Sequence, residues 1–228
     1  MAEATTNVNK ITGRACPHCG APSENAHFCP GCGKIQPLAP GTDYFAFFDL
    51  PRKLALDEAA LEKNFYSLSR QLHPDYFMSA TDLERRLSME RSSTLNDAYR
   101  TLRDRVSRAQ YLLELEGYKE AEKKAPPDLL EEVFELNMQI EELKAAKKVG
   151  DEEEVNDARR SLEEALQGLE EKLSEIDERL FALFADWDAA VDRGAPGDER
   201  KESLNRMNDL LSHRSYIRNL VRDVKEEL

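Results

Sequence analysis

Apolar residues recur at helical intervals along most of this 228-residue chain. Two such stripes lie on either side of residue 73, and each is the apolar face of a helix that packs on a core. The first stripe is Leu61, Phe65, Leu68 and Leu72, and the second is Leu87, Leu95, Ala98 and Leu102. The pattern therefore predicts two amphipathic helices with a short connection between them.

Three further stripes occupy the C-terminal part. They run from Leu129 to Leu143, from Val155 to Trp187 over about 33 residues, and from Leu204 to Leu228. Their apolar spacing is close to 3.5 residues and their connections are short and polar, which predicts an antiparallel three-helix bundle. No strand pattern is found outside the cysteine turns, so the predicted fold class is all-α.

The tripeptide His73-Pro74-Asp75 joins the first two helices. Pro74 has no backbone N–H and disfavours helical geometry at His73, so the first helix is expected to end there. Two antiparallel helices would then display a rigid polar tip. An ordinary interhelical turn is the alternative interpretation.

A helix, His-Pro-Asp and a second helix are the signature of the J-domain of DnaJ-like co-chaperones, and this chain resembles that family. The flanking segments resemble HscB, the specialised J-protein of iron–sulfur cluster assembly. Those segments are Asp43–Phe45, Leu95–Leu102 and Ala109–Gly117. The resemblance covers roughly residues 42–228 and is strongest over 43–117.

This resemblance implies a non-enzymatic co-chaperone with two protein partners. One is an HscA/DnaK-family chaperone, whose ATPase the J-domain stimulates, and the other is an IscU-type iron–sulfur scaffold, which the bundle delivers. By the resemblance, the chaperone-binding residues are His73, Pro74, Asp75, Lys63 and Arg70. Asp75 would offer a charge-assisted hydrogen bond to an arginine of the chaperone.

The first bundle helix has a second apolar stripe that its core does not need. Leu130, Phe134 and Met138 lie on an arc centred about 140° from the core stripe, with Glu135 and Glu142 beside it. An apolar row with acidic neighbours is typical of a protein-docking surface. The resemblance implies that these five residues bind the scaffold. The alternative is that the stripe packs on the J-domain or on the third bundle helix.

The four cysteines form two Cys-x-x-Cys pairs, and nine residues separate the pairs. Such pairs can close tetrahedrally around Zn²⁺, so Cys16, Cys19, Cys29 and Cys32 are the predicted ligands of a structural zinc ion. Disulfides or a redox or iron role are the alternatives, and a reducing cytosol argues against disulfides.

Other residues of the cysteine segment support a metal site. Gly20 and Gly33 follow the second cysteine of each pair, where positive φ lets backbone N–H groups face the thiolates. His18 and His27 are close enough to be ligands, but a complete cysteine tetrad makes them spectators. Such a short segment has no visible core of its own and needs a crosslink, such as a bound metal, to fold.

Changes in composition predict three domains. They are a zinc module at 1–36, a J-domain at 37–117 and a scaffold-binding bundle at 126–228. Pro37, Pro40 and Gly41 mark the first boundary, and the stretch from Gly117 to Pro126-Pro127 marks the second.

The charge is concentrated in the bundle and limits the partners. Residues 126–228 carry 28 acidic and 15 basic side chains, which accounts for the net charge of −13 of the whole chain. An acidic half repels phosphate backbones, so nucleic acid is not expected as a partner. The arginines that follow the tripeptide are expected to form a solvated, salt-bridged face. They are Arg85, Arg86, Arg91, Arg100, Arg103, Arg105 and Arg108.

Other classes of protein are disfavoured. No apolar run approaches the roughly 18 residues that span a bilayer, and Met1–Lys10 has no signal or presequence character, so a cytoplasmic location is expected. The sequence has neither a phosphate-binding G-x-x-x-x-G-K-[S/T] motif nor a metalloprotease H-E-x-x-H motif. The alternative function is a general DnaJ-like co-chaperone for unfolded clients, but such proteins usually carry a Gly/Phe-rich linker, which is not found here.

Overall fold

The computed structural model describes residues 14–23, 27–118 and 129–228. These residues form seven α-helices and one small β-hairpin, which confirms the predicted all-α class. They divide into two compact units. The first contains the described residues of Met1–Pro51 and Leu56–Asp104, and the second those of Arg52–Ala55 and Arg105–Leu228.

The first unit begins with the cysteine module, defined here as the described residues of 14–36. Strand β1 (Arg14–Ala15) pairs antiparallel with β2 (Pro22–Ser23). Each cysteine pair lies in a turn closed by a glycine, because the N–H groups of Gly20 and Gly33 donate to the carbonyl oxygens of the first cysteines, both at 2.9 Å. The φ angles of these glycines are 73° and 70°, which confirms the positive φ expected at both positions.

Three helices complete the first unit. They are α1 (Tyr44–Phe47), α2 (Glu58–Leu72) and α3 (Asp82–Arg103). Helix α2 ends where predicted, because His73 has the extended ψ of 129° that a following proline favours. A 3-10 helix, Pro74–Phe77, then leads towards α3.

Helices α2 and α3 are antiparallel neighbours. The hydroxyl of Ser88, near the start of α3, donates to the carbonyl oxygen of Leu72 at the end of α2 (2.6 Å). Farther along, the Phe65 ring stacks on Tyr99 with centroids 4.1 Å apart. The apolar stripes of both helices face this interface, with Phe65 half-buried at its edge.

The second unit contains α4 (Arg105–Leu115), α5 (Leu130–Val149), α6 (Glu152–Asp192) and α7 (Gly197–Glu227). The last three helices form the predicted antiparallel bundle around a buried apolar cluster that includes Leu136, Leu162 and Val221. The 41 residues of α6 exceed the predicted 33, because the helix extends beyond its apolar stripe at both ends.

A second apolar cluster joins α4 to the other end of α6 and α7. It includes Leu54 from the short segment Arg52–Ala55, which several hydrogen bonds hold in this unit. The Asp188 carboxylate accepts from the Leu54 N–H at 2.7 Å, and buried Arg108 donates to the Leu54 carbonyl oxygen. Trp187 Nε1 donates to the carbonyl oxygen of the segment's first residue at 2.9 Å.

Two arginines correct the expected solvated basic face. Arg91 and Arg108 are only 2% and 1% exposed, because each donates to a backbone carbonyl oxygen inside its unit. The predicted domain ranges 1–36, 37–117 and 126–228 stay a prediction. Pro126-Pro127 and Met1–Lys10, on which two of the expectations depend, lie outside the described residues. Among the helices described, none is long and apolar enough to cross a membrane.

Candidate functional sites

The four cysteine sulfurs form one compact cluster, and all lie within 4.8 Å of one another. The Sγ atoms of Cys16 and Cys32 are 3.7 Å apart, as are those of Cys19 and Cys29. Four sulfurs placed about 2.3 Å from a central metal ion at tetrahedral angles would be separated by about 3.8 Å. The cysteines are free thiols, and their spacing fits a metal ion at the centre.

Several N–H groups point at the sulfurs, as expected for a site that stabilises thiolates. The backbone N–H of His18 lies 3.4 Å from Cys16 Sγ, and that of Gly31 lies 3.3 Å from Cys29 Sγ. Gln36 adds a side-chain donor, with Nε2 3.4 Å from Cys16 Sγ. These hydrogen bonds therefore stabilise negative charge on the sulfurs of Cys16 and Cys29.

The pKa values of two of the thiols, Cys16 and Cys32, are shifted in opposite directions. Burial opposes ionisation of Cys16, but the surrounding N–H groups outweigh it and lower the pKa of Cys16 to about 6. At Cys32 a backbone hydrogen bond at Lys34 favours the thiolate, yet burial and the neighbouring thiols raise its pKa to about 12. Four thiolates this close repel one another, so a cation at the centre would be needed for all four to ionise.

His27 is engaged away from the sulfur cluster. Its Nε2 lies 3.1 Å from the Phe47 carbonyl oxygen and its Nδ1 lies 3.2 Å from an Arg91 guanidinium nitrogen. Burial, together with the positive charge of Arg91, lowers the pKa of His27 to about 4. The ring is therefore neutral at pH 7, with the proton on Nε2 and the lone pair of Nδ1 facing the arginine. This agrees with the spectator role expected for His27, and His18 is exposed.

The second candidate site is the His73-Pro74-Asp75 loop. The His73 and Asp75 side chains are exposed. The backbone N–H of Asp75 donates to His73 Nδ1 at 3.3 Å, so the imidazole presents Nε2–H as its donor. The Asp75 carboxylate lies 3.5 Å from the same Nδ1. The loop thus presents a carboxylate and an imidazole donor on a proline-fixed backbone.

Two serines of α3 hold the base of this loop. Ser88 and Ser92 both donate to the carbonyl oxygen of Leu72, at 2.6 and 2.9 Å. This carbonyl belongs to the last turn of α2, where backbone acceptors have no partner inside the helix. The two hydroxyls therefore attach α3 directly to the residue that precedes His73.

The remaining residues predicted to bind the chaperone are exposed on α2. Lys63 and Arg70 are seven residues apart, which places them about 20° from each other around the helix. They form a small basic strip on one face, and their role in binding stays a prediction.

The predicted second stripe of α5 faces solvent. Leu130, Phe134 and Met138 are 55%, 66% and 50% exposed, although they are large apolar residues. Glu135 and Glu142 are also exposed. The predicted core stripe, by contrast, contributes Leu129, Leu136 and Leu143 to the bundle core. These exposed residues, called the α5 patch below, match the composition of a docking surface, and their role in binding stays a prediction.

Sequence reasoning missed Gln36, Ser88, Ser92 and the structural role of Arg91. The only available signal was position, since Ser88, Arg91 and Ser92 interrupt the run of α3 residues that face its core. Polar residues at core-facing positions are usually hydrogen-bonded to something specific. No pattern in the chain, however, identifies the carbonyl oxygens and the sulfur that they bind.

Comparisons with known proteins find similar sequences, although no protein-family model matches the chain. The chain is 39% identical over 117 residues to the co-chaperone protein HscB homolog of Azoarcus sp. (strain BH72), a match that covers 50% of this chain and 66% of that protein. It is 35% identical over 134 residues to the iron–sulfur cluster co-chaperone protein HscB of Homo sapiens, covering 56% and 57% of the two chains. These matches thus span less than two thirds of either relative's length.

The fold is also similar to a solved structure. The crystal structure of human co-chaperone protein HscB matches with a TM-score of 0.64 and 25% sequence identity, and the match covers 93% of this chain and 98% of that one. In both sequence and fold, the chain is therefore similar to HscB co-chaperones.

Proposed function

We propose that this chain is a co-chaperone of iron–sulfur cluster assembly. In this proposal it stimulates the ATPase of an HscA/DnaK-family chaperone and delivers an IscU-type scaffold protein to it. The observation that carries the proposal is the exposed His73-Pro74-Asp75 loop at the end of the α2–α3 pair. The name of the human relative, an iron–sulfur cluster co-chaperone, supports the choice of pathway.

The chemistry of the loop suits recognition of a basic surface. The exposed Asp75 carboxylate can accept charge-assisted hydrogen bonds from an arginine of the chaperone, and Nε2–H of His73 adds a hydrogen-bond donor. Pro74 and the serine bonds to Leu72 reduce the conformational freedom that binding would otherwise remove. Lys63 and Arg70 would add long-range attraction to an acidic chaperone surface.

The experiment is a steady-state ATPase assay with a DnaK-family chaperone, using the full chain. Asp75→Asn keeps the size of the side chain and removes its charge, so stimulation should fall about tenfold or more, as expected for the loss of a charge-assisted hydrogen bond. The matched control is Asp82→Asn, because Asp82 is also exposed and close in sequence but lies outside the tripeptide. Full stimulation by a folded Asp75→Asn protein would contradict the J-domain assignment.

The scaffold is proposed to bind the α5 patch. Three large apolar side chains in solvent cost free energy unless a partner covers them, and Glu135 and Glu142 can orient a basic rim of that partner.

A general J-protein, the alternative function, would respond to unfolded polypeptide. The proposed function requires instead that folded IscU-type scaffold increases the ATPase stimulation, and equal responses to both clients would favour the alternative.

The cysteine cluster is proposed to hold a structural zinc ion. The set of four thiolates suits zinc, and the sulfur separations of 3.7 Å suit tetrahedral coordination. Bound zinc would crosslink two turns that have little apolar core of their own. Elemental analysis should find one zinc per chain, and Cys29→Ser should lose it while helicity is retained. Purified protein that lacks zinc and shows mapped disulfides would refute this assignment.

A further inference from the structure

A chain of hydrogen bonds links helix α3 to one of the cysteine sulfurs. Arg91 Nε donates to the backbone carbonyl oxygen of Gln36 at 2.8 Å, and the Gln36 side-chain amide lies 3.4 Å from Cys16 Sγ. Arg91 and Gln36 are only 2% and 3% exposed. Gln36 alone therefore connects Arg91 of α3 to the sulfur of Cys16.

Both polar side chains are fixed by additional contacts. The Gln36 amide nitrogen also donates to the Lys34 carbonyl oxygen at 2.8 Å, which sets the direction of the side chain. The Arg91 guanidinium lies 3.2 Å from His27 Nδ1 and 5.9 Å from the centre of the Phe47 ring. Buried polar groups with several partners of this kind hold a defined geometry, because any other orientation would leave a donor unsatisfied.

We infer that Gln36 and Arg91 are positioning residues for the Cys16 thiolate, and that helix α3 thereby helps to set the metal affinity of the cysteine module. This inference rests on the proposed metal site. An N–H donor to a coordinating sulfur orients the ligand and offsets part of its negative charge. Loss of such an outer contact typically lowers metal affinity by about 10- to 100-fold.

The coupling has to act in both directions. If contacts from α3 raise the affinity for metal, bound metal stabilises those same contacts by an equal free energy. A second contact extends the effect to the start of α3, because Lys34 Nζ lies 2.7 Å from a carboxylate oxygen of Glu84. Glu84 closes the capping box at the first turn of α3. Metal loading should therefore stabilise the helix start that follows the His73-Pro74-Asp75 loop.

The first experiment measures zinc affinity by competition with a chromophoric chelator. Gln36→Met removes the donor to Cys16 and retains the backbone carbonyl that Arg91 binds, so affinity should fall about 10- to 100-fold. The thiolate-to-metal charge-transfer band of the Co²⁺-loaded protein should also shift. Gln71→Met, a change at an exposed glutamine of α2, should alter neither quantity.

The second experiment measures amide hydrogen exchange with and without zinc. In the wild type, zinc removal should accelerate exchange around Arg91 and in the first turn of α3. Arg91→Lys keeps the charge but cannot reach the same partners, so this zinc dependence should shrink. Arg86→Lys, at an exposed position of the same helix, should behave as wild type. If Arg91→Lys fails to fold, the Gln36→Met result decides.

Two outcomes distinguish failure of this inference from failure of the proposed zinc site. Wild-type protein that binds no zinc would overturn the metal site and the inference together. Wild-type zinc binding with unchanged affinity and an unchanged Co²⁺ spectrum in Gln36→Met would overturn only the inference, leaving the zinc site and the co-chaperone function standing.

Discussion

The buried hydroxyl of Ser88 helps to hold the His73-Pro74-Asp75 loop in place, although Ser88 is not part of that loop. The Leu72 carbonyl oxygen accepts from Ser88 and Ser92, and Ser88 is completely buried. Without these donors the carbonyl at the end of α2 would lose its bonds to α3, and a buried acceptor without a partner destabilises the fold. The residues that fix the base of the tripeptide are therefore two serines that lie 16 and 20 residues after Leu72 in the sequence.

The first prediction concerns this pair of serines. Ser88→Ala should lower the free energy of unfolding by about 0.5–1.5 kcal/mol, since Ser92 still donates to the same oxygen. Replacing both serines by alanine should cost about 1–3 kcal/mol, because the Leu72 carbonyl then has neither donor. Urea unfolding followed by circular dichroism measures both changes. Ser93→Ala, a change at an exposed neighbouring position, is the control. Wild-type stability in the double variant would show that the hydrogen bonds of Ser88 and Ser92 to Leu72 do not stabilise the fold.

At the scale of single residues, sequence reasoning was right about local geometry, since the four sulfurs cluster, Gly20 and Gly33 have positive φ and α2 ends before His73. The cysteine tetrad, the glycines with positive φ and the tripeptide each follow from short spacings. The role of Arg91 could not be predicted, because its acceptor on Gln36 lies 55 residues away. Charge alone suggested an exposed position for Arg91, whereas the sequence does not reveal the buried carbonyl oxygen of Gln36 to which it donates.

At the scale of elements, the start of α3 depends on one ionised carboxylate. Glu84 accepts from the N–H and the hydroxyl of Thr81 and pairs with Lys34. The hydrogen bond from Lys34, followed by those from Thr81, lowers the pKa of Glu84 to about 2 from the usual 4.5. A lowered carboxyl pKa stabilises the fold fully above pH 4.5, and the contribution disappears as pH falls towards 2.

The second prediction follows from that pKa. Glu84→Gln should be less stable than wild type at pH 7, and the difference should narrow between pH 4.5 and 2 as the wild-type carboxylate is protonated. Urea unfolding at pH 7, 4 and 3 gives the comparison, with Glu90→Gln at an exposed position of α3 as control. A stability difference that stays constant with pH would show that the Glu84 charge is not responsible.

The third prediction separates the two faces of α5. Phe134→Ala should change the free energy of unfolding by less than about 0.5 kcal/mol, since the ring is 66% exposed. It should weaken scaffold binding by about 1–3 kcal/mol, or roughly 5- to 150-fold, if the ring anchors the partner. Calorimetric titration with the scaffold and urea unfolding measure the two effects.

Leu136→Ala is the matched control on the buried face of α5. Loss of that core side chain should cost about 2–5 kcal/mol of stability and leave the affinity of the folded protein unchanged. Unfolding by Phe134→Ala, or undiminished scaffold binding, would place the scaffold site elsewhere.

Five of the seven described helices were predictable because their apolar stripes are long and regular, whereas α1 and α4 were not predicted as separate helices. The ends of α6 were also missed, because they are formed by polar residues that apolar periodicity does not indicate. Asp151 caps the helix by accepting from the N–H groups of Glu153 and Glu154. Acidic residues in the first turn also interact favourably with the helix dipole, so the helix begins before its first apolar residue, Val155.

At the scale of the whole molecule, composition indicated where the chain changes character but not which segments pack together. Helix α4 lies within the predicted J-domain range, yet its apolar face packs on α6 and α7 in the second unit. The segment Arg52–Ala55 belongs to that unit as well, through a bond from Leu54 to Asp188 across 134 residues. Such pairings depend on packing between segments that are distant in sequence. The prolines and glycines from which the domain boundaries were predicted do not indicate them.

The last prediction tests whether the two proposed binding sites must share one chain. A chain that binds chaperone and scaffold at once raises the effective concentration of one for the other, often by 10²- to 10⁴-fold. Asp75→Asn keeps the α5 patch, and Phe134→Ala keeps the loop, so a mixture of the two proteins contains both sites on separate molecules. The assay uses scaffold at concentrations well below the dissociation constant of the scaffold–chaperone complex. Under these conditions wild type should give scaffold-dependent ATPase stimulation, whereas each variant alone and the mixture of the two should not. Stimulation by the mixture equal to that of wild type would show that the two sites act independently, and delivery by one linked molecule would be refuted.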